Sequence, residues 1–189
     1  MTSSEPPLED PRPSTLATRE SLVVLHTGPG KGKTTAALGI AMRAVGHGWT
    51  VSFLQFIKSA AWMTGEAKSC NDLGILFESL GDGFTWDSDD IAADKERAKN
   101  AWNRASEIIS SGDFQLVVLD ELTYLCSWKW IDVDDVVRVI SQRPRHVSVV
   151  ITGRDALPQL IDIADTASES VSLHHAYDHG VAALKGIDF

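Results

Sequence analysis

The sequence predicts an α/β fold with a mostly parallel central sheet flanked by helices, on the strength of three observations. Short, nearly continuous apolar runs alternate with segments of helical periodicity along the chain. Several of these runs end in glycine, lysine, arginine or carboxylate residues, which a parallel sheet gathers at one edge. The first run leads into a glycine-rich loop and an alanine-rich helix. That order is typical of a P-loop nucleoside-triphosphate-binding fold.

The first half of the chain supplies three predicted strands. The apolar residues 22–25 begin a first strand over 22–26, and the continuously apolar run 51–57 predicts a second strand covered on both faces. A third, short strand centres on residues 75–77. The predicted helix over 33–45 stops at the turn signal Gly46-His47-Gly48, and residues 62–66 form a loop or a short helix.

The second half continues the alternation. Ser88, Asp89 and Asp90 can cap a helix whose apolar residues recur at helical spacing until about Ser111. The remaining predicted strands are residues 115–119, 146–152 and 169–173, and the remaining predicted helices are residues 132–142 and 157–164. Pro158 fits the first turn of the last helix.

Composition limits the classes of function. A chain of 189 residues suffices for one domain with a sizeable core. Its formal charge of −9 and pI near 5.0 argue against nucleic acid as the main partner. The two cysteines lack metal-ligand spacing, and no apolar run approaches the roughly 20 residues of a membrane span. We therefore expect a cytoplasmic protein that binds no membrane, with a flexible proline-rich N-terminal arm over 1–20 and a single domain over 21–189.

The loop after the first strand carries the strongest functional signal. Backbone N–H groups and the helix dipole at such a loop favour an anion, Lys33 adds a cation, and the Thr34 hydroxyl can ligate magnesium. A standard P-loop has glycine where Thr27 stands, so the loop indicates a specialised branch and not a generic ATPase. The candidate triphosphate ligands are Gly28, Pro29, Gly30, Lys31, Gly32, Lys33, Thr34 and Thr35.

Other polar residues follow later strands. Asp120 and Glu121 end an apolar strand, where a carboxylate beside a P-loop can hold magnesium. A strand followed by an ordinary acidic turn would show the same sequence pattern. Arg154 follows the fifth strand and suits phosphate geometry. Arg43 fits a surface or ion-pair role as well as ligand contact.

Two aromatic residues lie in a glycine loop. Phe84 and Trp86 look exposed there, but on spacing alone they could equally fold back onto the core.

The loop and seven further sequence blocks together resemble the P-loop type of ATP:cob(I)alamin (corrinoid) adenosyltransferase, from about Leu22 to the end of the chain. The missing first glycine of the P-loop is a trait of that family, whereas Pro29 and Ser59 depart from its usual asparagine and glycine. The likeness rests on the loop itself and on Arg43-Ala44-Val45-Gly46-His47-Gly48, Gln55-Phe56-Ile57-Lys58, Gly83-Phe84-Thr85-Trp86, Leu119-Asp120-Glu121-Leu122-Thr123-Tyr124, Arg143-Pro144, Thr152-Gly153-Arg154 and Gly186-Ile187-Asp188-Phe189.

The resemblance implies an enzyme that transfers the 5′-deoxyadenosyl group of ATP to cobalt(I) of a reduced corrinoid and releases triphosphate. ATP would lie across the loop in a sense reversed from ordinary ATPases. Lys33 would neutralise the triphosphate, with Arg43 and Arg154 as further contacts. Thr34 and Glu121, with Asp120 beside them, would hold Mg²⁺ or Mn²⁺.

The resemblance also assigns the aromatic pair and the partners. Phe84 and Trp86 would face the corrin and help remove the lower axial ligand of cobalt(II). A homodimer, an electron-donating reductase or flavodoxin-like partner, and a role in adenosylcobalamin biosynthesis or salvage are implied as well. The alternatives are a P-loop ATPase or phosphotransferase acting at the γ-phosphate, and a non-catalytic nucleotide-binding regulator.

Overall fold

The computed structural model describes residues 15–59, 64–81 and 91–188. Six strands form one sheet in the order β3-β2-β4-β5-β1-β6, and every pairing between neighbours is parallel. The predicted α/β fold with a mostly parallel sheet is therefore confirmed. The strands are β1 (Val23–Thr27), β2 (Val51–Ser59), β3 (Leu76–Gly81), β4 (Leu116–Asp120), β5 (Ser148–Thr152) and β6 (Thr166–Glu169).

Helices cover both faces of the sheet. The α-helices are α1 (Lys33–Gly46), α2 (Gly65–Asp72), α3 (Ile91–Ser111), α4 (Leu122–Ser127), α5 (Val133–Ser141) and α6 (Pro158–Asp162), and a 3₁₀ helix spans Ala176–His179. In the described part of the chain, no helix combines the length and the apolarity needed to cross a bilayer.

Two apolar clusters hold the layers together. On one face, the buried side chains of Trp102, Ile109 and Ile140 pack against the central strands. On the other face, Ala37 and Ala41 of α1 lie against β2, β4 and β5. Because β4 and β5 are covered on both sides, all of their residues are buried, which explains the continuous apolar runs 116–119 and 149–151.

The sixth strand differs from the prediction. We expected it over 169–173, but Thr166–Glu169 pairs with β1, from Val24 opposite Thr166 to Thr27 opposite Glu169. All four residues of β6 are exposed at the sheet edge, so the strand needs no apolar pattern. The apolar Val171 and Leu173, which suggested a strand, lie beyond it and are exposed.

Two helices differ from the prediction. Helix α2 begins at Gly65, inside the segment 62–66 that was predicted as a loop or a short helix, and it continues to Asp72. Thr64 caps it, and the Thr64 Oγ1 accepts a hydrogen bond from the Ala67 N–H at 3.4 Å. Helix α4 follows β4 directly and packs Leu122 and Leu125 into the core. Its six residues are too few to show helical periodicity in the sequence.

Candidate functional site

A cavity of about 620 Å³ opens at the carboxyl edge of the sheet. Loop residues 30–35 form one side, and Glu121, Tyr124 and Arg154 form another. Parallel topology explains the arrangement, because the ends of β1, β4 and β5 meet at this edge. Residues 186–188, near the end of the chain, close the cavity from a third side.

The loop leads into α1 through a left-handed glycine and places Lys33 on the cavity wall. Gly32 has a φ of 100° and precedes the first residue of α1, so the chain enters the helix through a left-handed conformation that suits glycine. The Lys33 ammonium donates to the carbonyl oxygens of Gly28 at 2.7 Å and Gly30 at 2.5 Å. These bonds fold the lysine back over the loop.

The unusual glycine pattern of the loop has a structural reason. The Ser170 N–H donates to the Thr27 carbonyl at 2.8 Å, and the Gly30 N–H donates to the Ser170 carbonyl at 2.7 Å. A Cβ atom on Gly28 would lie 2.5 Å from the Ser170 oxygen, and one on Gly30 would lie 2.8 Å from the Val171 oxygen. The segment that follows β6 therefore requires glycine at both positions.

The two acidic residues after β4 face different surroundings. Asp120 is fully buried; its carboxylate accepts hydrogen bonds from the Thr152 hydroxyl at 2.7 Å and from Gln55 Nε2 at 3.1 Å. Glu121 lines the cavity and has a φ of 66°. Its N–H donates to Thr152 Oγ1 at 2.9 Å, which fixes the turn that directs the chain from β4 into α4.

Positive charge converges beside the loop. Burial, followed by the nearby Arg154 guanidinium, lowers the pKa of Lys33, while the Glu121 carboxylate acts in the opposite direction. The Arg154 carbonyl accepts a bond from Thr123 Oγ1 at 2.5 Å, and a Cβ on Gly153 would collide with the same hydroxyl. Two cations held together in this way favour a multiply charged anion between them.

The donor set also fits a hard divalent cation that binds together with phosphate. Thr34 offers a hydroxyl and Glu121 a carboxylate on the same cavity wall. Within the described ranges, no group of three or more His, Cys, Asp and Glu residues could hold a metal by itself. Mg²⁺ suits such a sparse site, because it keeps several waters and completes its shell with substrate phosphates.

The structure separates the other predicted site residues. Arg43 is exposed in the last turn of α1 and does not line the cavity. Helix α1 borders the cavity through Leu38 and Met42 instead. Lys31 lines the cavity and forms an ion pair with Asp188. The backbone at Gly28 and Pro29 precedes the lining residues. Phe84 and Trp86 lie outside the described residues, so their roles stay predictions.

Sequence reasoning assigned no role to several residues of the site. Tyr124 lines the cavity, and burial raises the pKa of its hydroxyl. Asp188 closes the cavity from the chain end. Both lie in sequence blocks on which the family resemblance rests. Their position in those blocks was the signal that could have marked them as site residues. Thr152, which contacts both acidic positions, shares a block with Arg154.

Comparison with known proteins identifies the family. The family model for ATP:corrinoid adenosyltransferase BtuR/CobO/CobP matches residues 19–189. The corrinoid adenosyltransferase of Escherichia coli K12 is 38% identical over 180 residues, which is 95% of this chain and 91% of that protein. The corrinoid adenosyltransferase of Pseudomonas aeruginosa is 39% identical over 170 residues, covering 89% of this chain and 83% of that protein.

A third relative agrees with these two. Corrinoid adenosyltransferase CobA of Salmonella typhimurium is 38% identical over 180 residues, again 95% of this chain and 91% of that protein. The match to the family model extends from before β1 to the end of the chain. It therefore includes the loop, Asp120 and Glu121 at the end of β4, and Arg154. The chain belongs to the ATP:corrinoid adenosyltransferase BtuR/CobO/CobP family.

Proposed function

We propose that this chain transfers the 5′-deoxyadenosyl group of ATP to the cobalt of a reduced corrinoid and releases triphosphate. The observation that carries the proposal is the convergence of Lys33 and Arg154 on a cavity bordered by the loop. In the reaction, cobalt(I) donates an electron pair to C5′ of ATP. The cobalt–carbon bond forms, the C5′–O bond breaks, and triphosphate leaves with the bonding electrons.

The protein's own contribution is positioning and charge stabilisation. The N–H groups of the loop and the cations of Lys33 and Arg154 stabilise the negative charge that grows on the leaving triphosphate. Thr34 and Glu121 would hold Mg²⁺, which would neutralise part of the same charge. Cys70 borders the cavity, but burial raises the pKa of its thiol to about 11, so it stays neutral and is no competing nucleophile.

The corrinoid side of the site rests on the family resemblance. Phe84 and Trp86 would form an apolar wall against the corrin that excludes a lower axial ligand, because four-coordinate cobalt(II) is easier to reduce. A homodimer, a reductase or flavodoxin-like electron donor and a cytoplasmic location belong to the same proposal. So does the division into an arm over 1–20 and one catalytic domain over 21–189.

The products of a single assay test this function. The protein is mixed with ATP, Mg²⁺ and chemically reduced cobalamin, the absorbance of the corrinoid is followed, and phosphate products are separated. We expect adenosylcobalamin and intact triphosphate in equal amounts, formed only when reduced corrinoid is present. ADP and orthophosphate without corrinoid would instead identify an ATPase, and ATP binding without any spectral change would identify a regulator.

A substitution in the loop links the activity to the cavity. Lys33→Ala should abolish turnover and weaken ATP binding, because the triphosphate loses a central cation. Lys95→Ala, at an exposed position of α3 outside the cavity lining, removes the same charge and should leave both quantities unchanged. If Lys33→Ala keeps its ATP affinity and turnover, the loop is not the triphosphate site.

A further inference from the structure

Asp188, near the end of the chain, forms an ion pair with Lys31 of the loop. The Lys31 ammonium donates to Asp188 Oδ1, and the Leu184 N–H donates to Asp188 Oδ2 at 2.8 Å. Both oxygens of the carboxylate are thus engaged, one by the loop and one by its own backbone turn. Asp188 is largely covered, whereas about half of the Lys31 side chain is exposed.

The two loop lysines are held in different ways. The Lys33 ammonium contacts the neutral carbonyl oxygens of Gly28 and Gly30. Lys31 contacts a carboxylate, and this contact lowers the pKa of Asp188, which keeps that group charged. Since a carboxylate resembles a phosphate in charge and in hydrogen-bond acceptors, Asp188 occupies Lys31 in the way that a phosphate oxygen would.

We propose that Asp188 is an internal competitor that holds Lys31 while the loop is empty and contests it with the triphosphate group. This inference rests on the proposed function, in which triphosphate is both part of ATP and the departing product. When the nucleotide binds, the Lys31 ammonium exchanges the Asp188 carboxylate for phosphate oxygens. When triphosphate leaves, Asp188 takes the ammonium back.

The competition matters most for release of the product. After transfer, the loop holds a free polyanion by the same groups that held the triphosphate of ATP, so binding would be tight and release slow. A carboxylate positioned on Lys31 favours the empty loop and thereby weakens both complexes. ATP retains additional contacts through its adenosyl part, whereas the product is held through its phosphate groups alone.

The test measures binding of inorganic triphosphate with Mg²⁺ by calorimetry to the full chain, without any corrinoid. Asp188→Asn removes the charge, yet its amide oxygen can still accept the Leu184 N–H bond. We expect the Kd for triphosphate to fall roughly two- to fivefold, the range set by a partly exposed ion pair. Asp178→Asn removes a charge from an exposed position of the same segment and should not change the Kd.

A double-mutant cycle with Lys31→Gln separates competition from a general charge effect. If Asp188 acts through Lys31, most of the gain from Asp188→Asn disappears when Lys31 is also replaced. An equal gain in Asp178→Asn, or a full gain in the Lys31→Gln background, would overturn the proposal.

Binding to the wild-type chain tells the two proposals apart. If wild-type protein binds triphosphate and Asp188→Asn binds it no more tightly, the competition is refuted while the proposed function stands. If the wild-type chain does not bind triphosphate, the triphosphate site and the competition fail together.

Discussion

The Thr152 hydroxyl joins two strands by donating a hydrogen bond to the Asp120 carboxylate at 2.7 Å. The same oxygen accepts the Glu121 N–H at 2.9 Å, so one side chain of β5 fixes both acidic residues at the end of β4. Asp120 thereby acts as a support beneath the cavity, and Glu121 is held in the left-handed turn that places it on the cavity wall.

Thr152→Val should therefore impair both stability and the proposed binding of Mg²⁺. Valine has the shape of threonine but leaves a buried carboxylate oxygen and the Glu121 N–H without their partner, at a cost of about 1–3 kcal/mol in unfolding free energy. We also expect a higher Mg²⁺ concentration for half-maximal turnover, because Glu121 is less firmly placed. Thr152→Ser keeps the hydroxyl and should stay near wild type. Equal behaviour of the two variants would show that the hydroxyl is dispensable.

Gly28→Ala tests the reason given for the glycine pattern. The residue has a φ of 96°, and a Cβ atom there would lie 2.5 Å from the Ser170 oxygen. Chemical denaturation should show a loss of about 1–3 kcal/mol, the usual cost of a strained backbone position. Gly39→Ala is the matched control, since Gly39 lies within α1 with open space around its Cβ position. That change should stabilise the protein by about 0.5–1 kcal/mol.

Most of the fold followed from local patterns. Strands β1, β2, β4 and β5 and their order along the chain were readable, because each is apolar and ends in a polar signal. Parallel topology then predicted that Lys33, Glu121 and Arg154 would meet, and they line one cavity.

The parts that could not be predicted depend on distant contacts or on exposure. The partners of Asp120, which are Gln55 and Thr152, are 65 and 32 residues away along the chain, and no local pattern encodes such pairs. Strand β6 is exposed, so hydrophobicity says nothing about its position. Arg43 lies on α1, the helix that follows the loop. The rotation between successive helical residues nevertheless keeps Arg43 out of the cavity lining, to which its neighbour Met42 belongs.

The stability of the folded protein should depend on pH through His26. Burial lowers the pKa of this histidine, and its Nε2 atom has no hydrogen-bond partner among the described residues. Below about pH 6.5 the unfolded chain binds a proton there while the folded chain resists it, so stability falls as the pH falls and levels off below the folded pKa. Since the side chain is only half-buried, the slope should stay well under about 1.4 kcal/mol per pH unit.

Denaturation at pH 7.5 and pH 5.5 measures that slope. In His26→Leu the loss of stability between the two pH values should be smaller than in the wild-type chain. His174→Gln replaces an exposed histidine and should keep the wild-type slope. An unchanged slope in His26→Leu would place the pH dependence in other groups.

Trp86→Ala separates corrinoid contact from a core role. If Trp86 helps remove the lower axial ligand, the variant should lose more activity with cobalt(II) substrate plus an electron donor than with prereduced cobalt(I). Trp49→Ala, at a partly exposed position before β2, serves as the control and should preserve the ratio of the two rates. Equal losses with both substrates in Trp86→Ala would indicate a core residue.

The contacts of residues 170–171 and 186–188 with the loop and its cavity have a practical consequence for handling the protein. An affinity tag or fluorescent fusion joined at the carboxyl end would start one residue beyond a wall of the cavity. Its bulk and charge would disturb the Lys31–Asp188 pair and alter measured nucleotide affinities. Measurements of nucleotide affinity should therefore use protein without a fusion at that position.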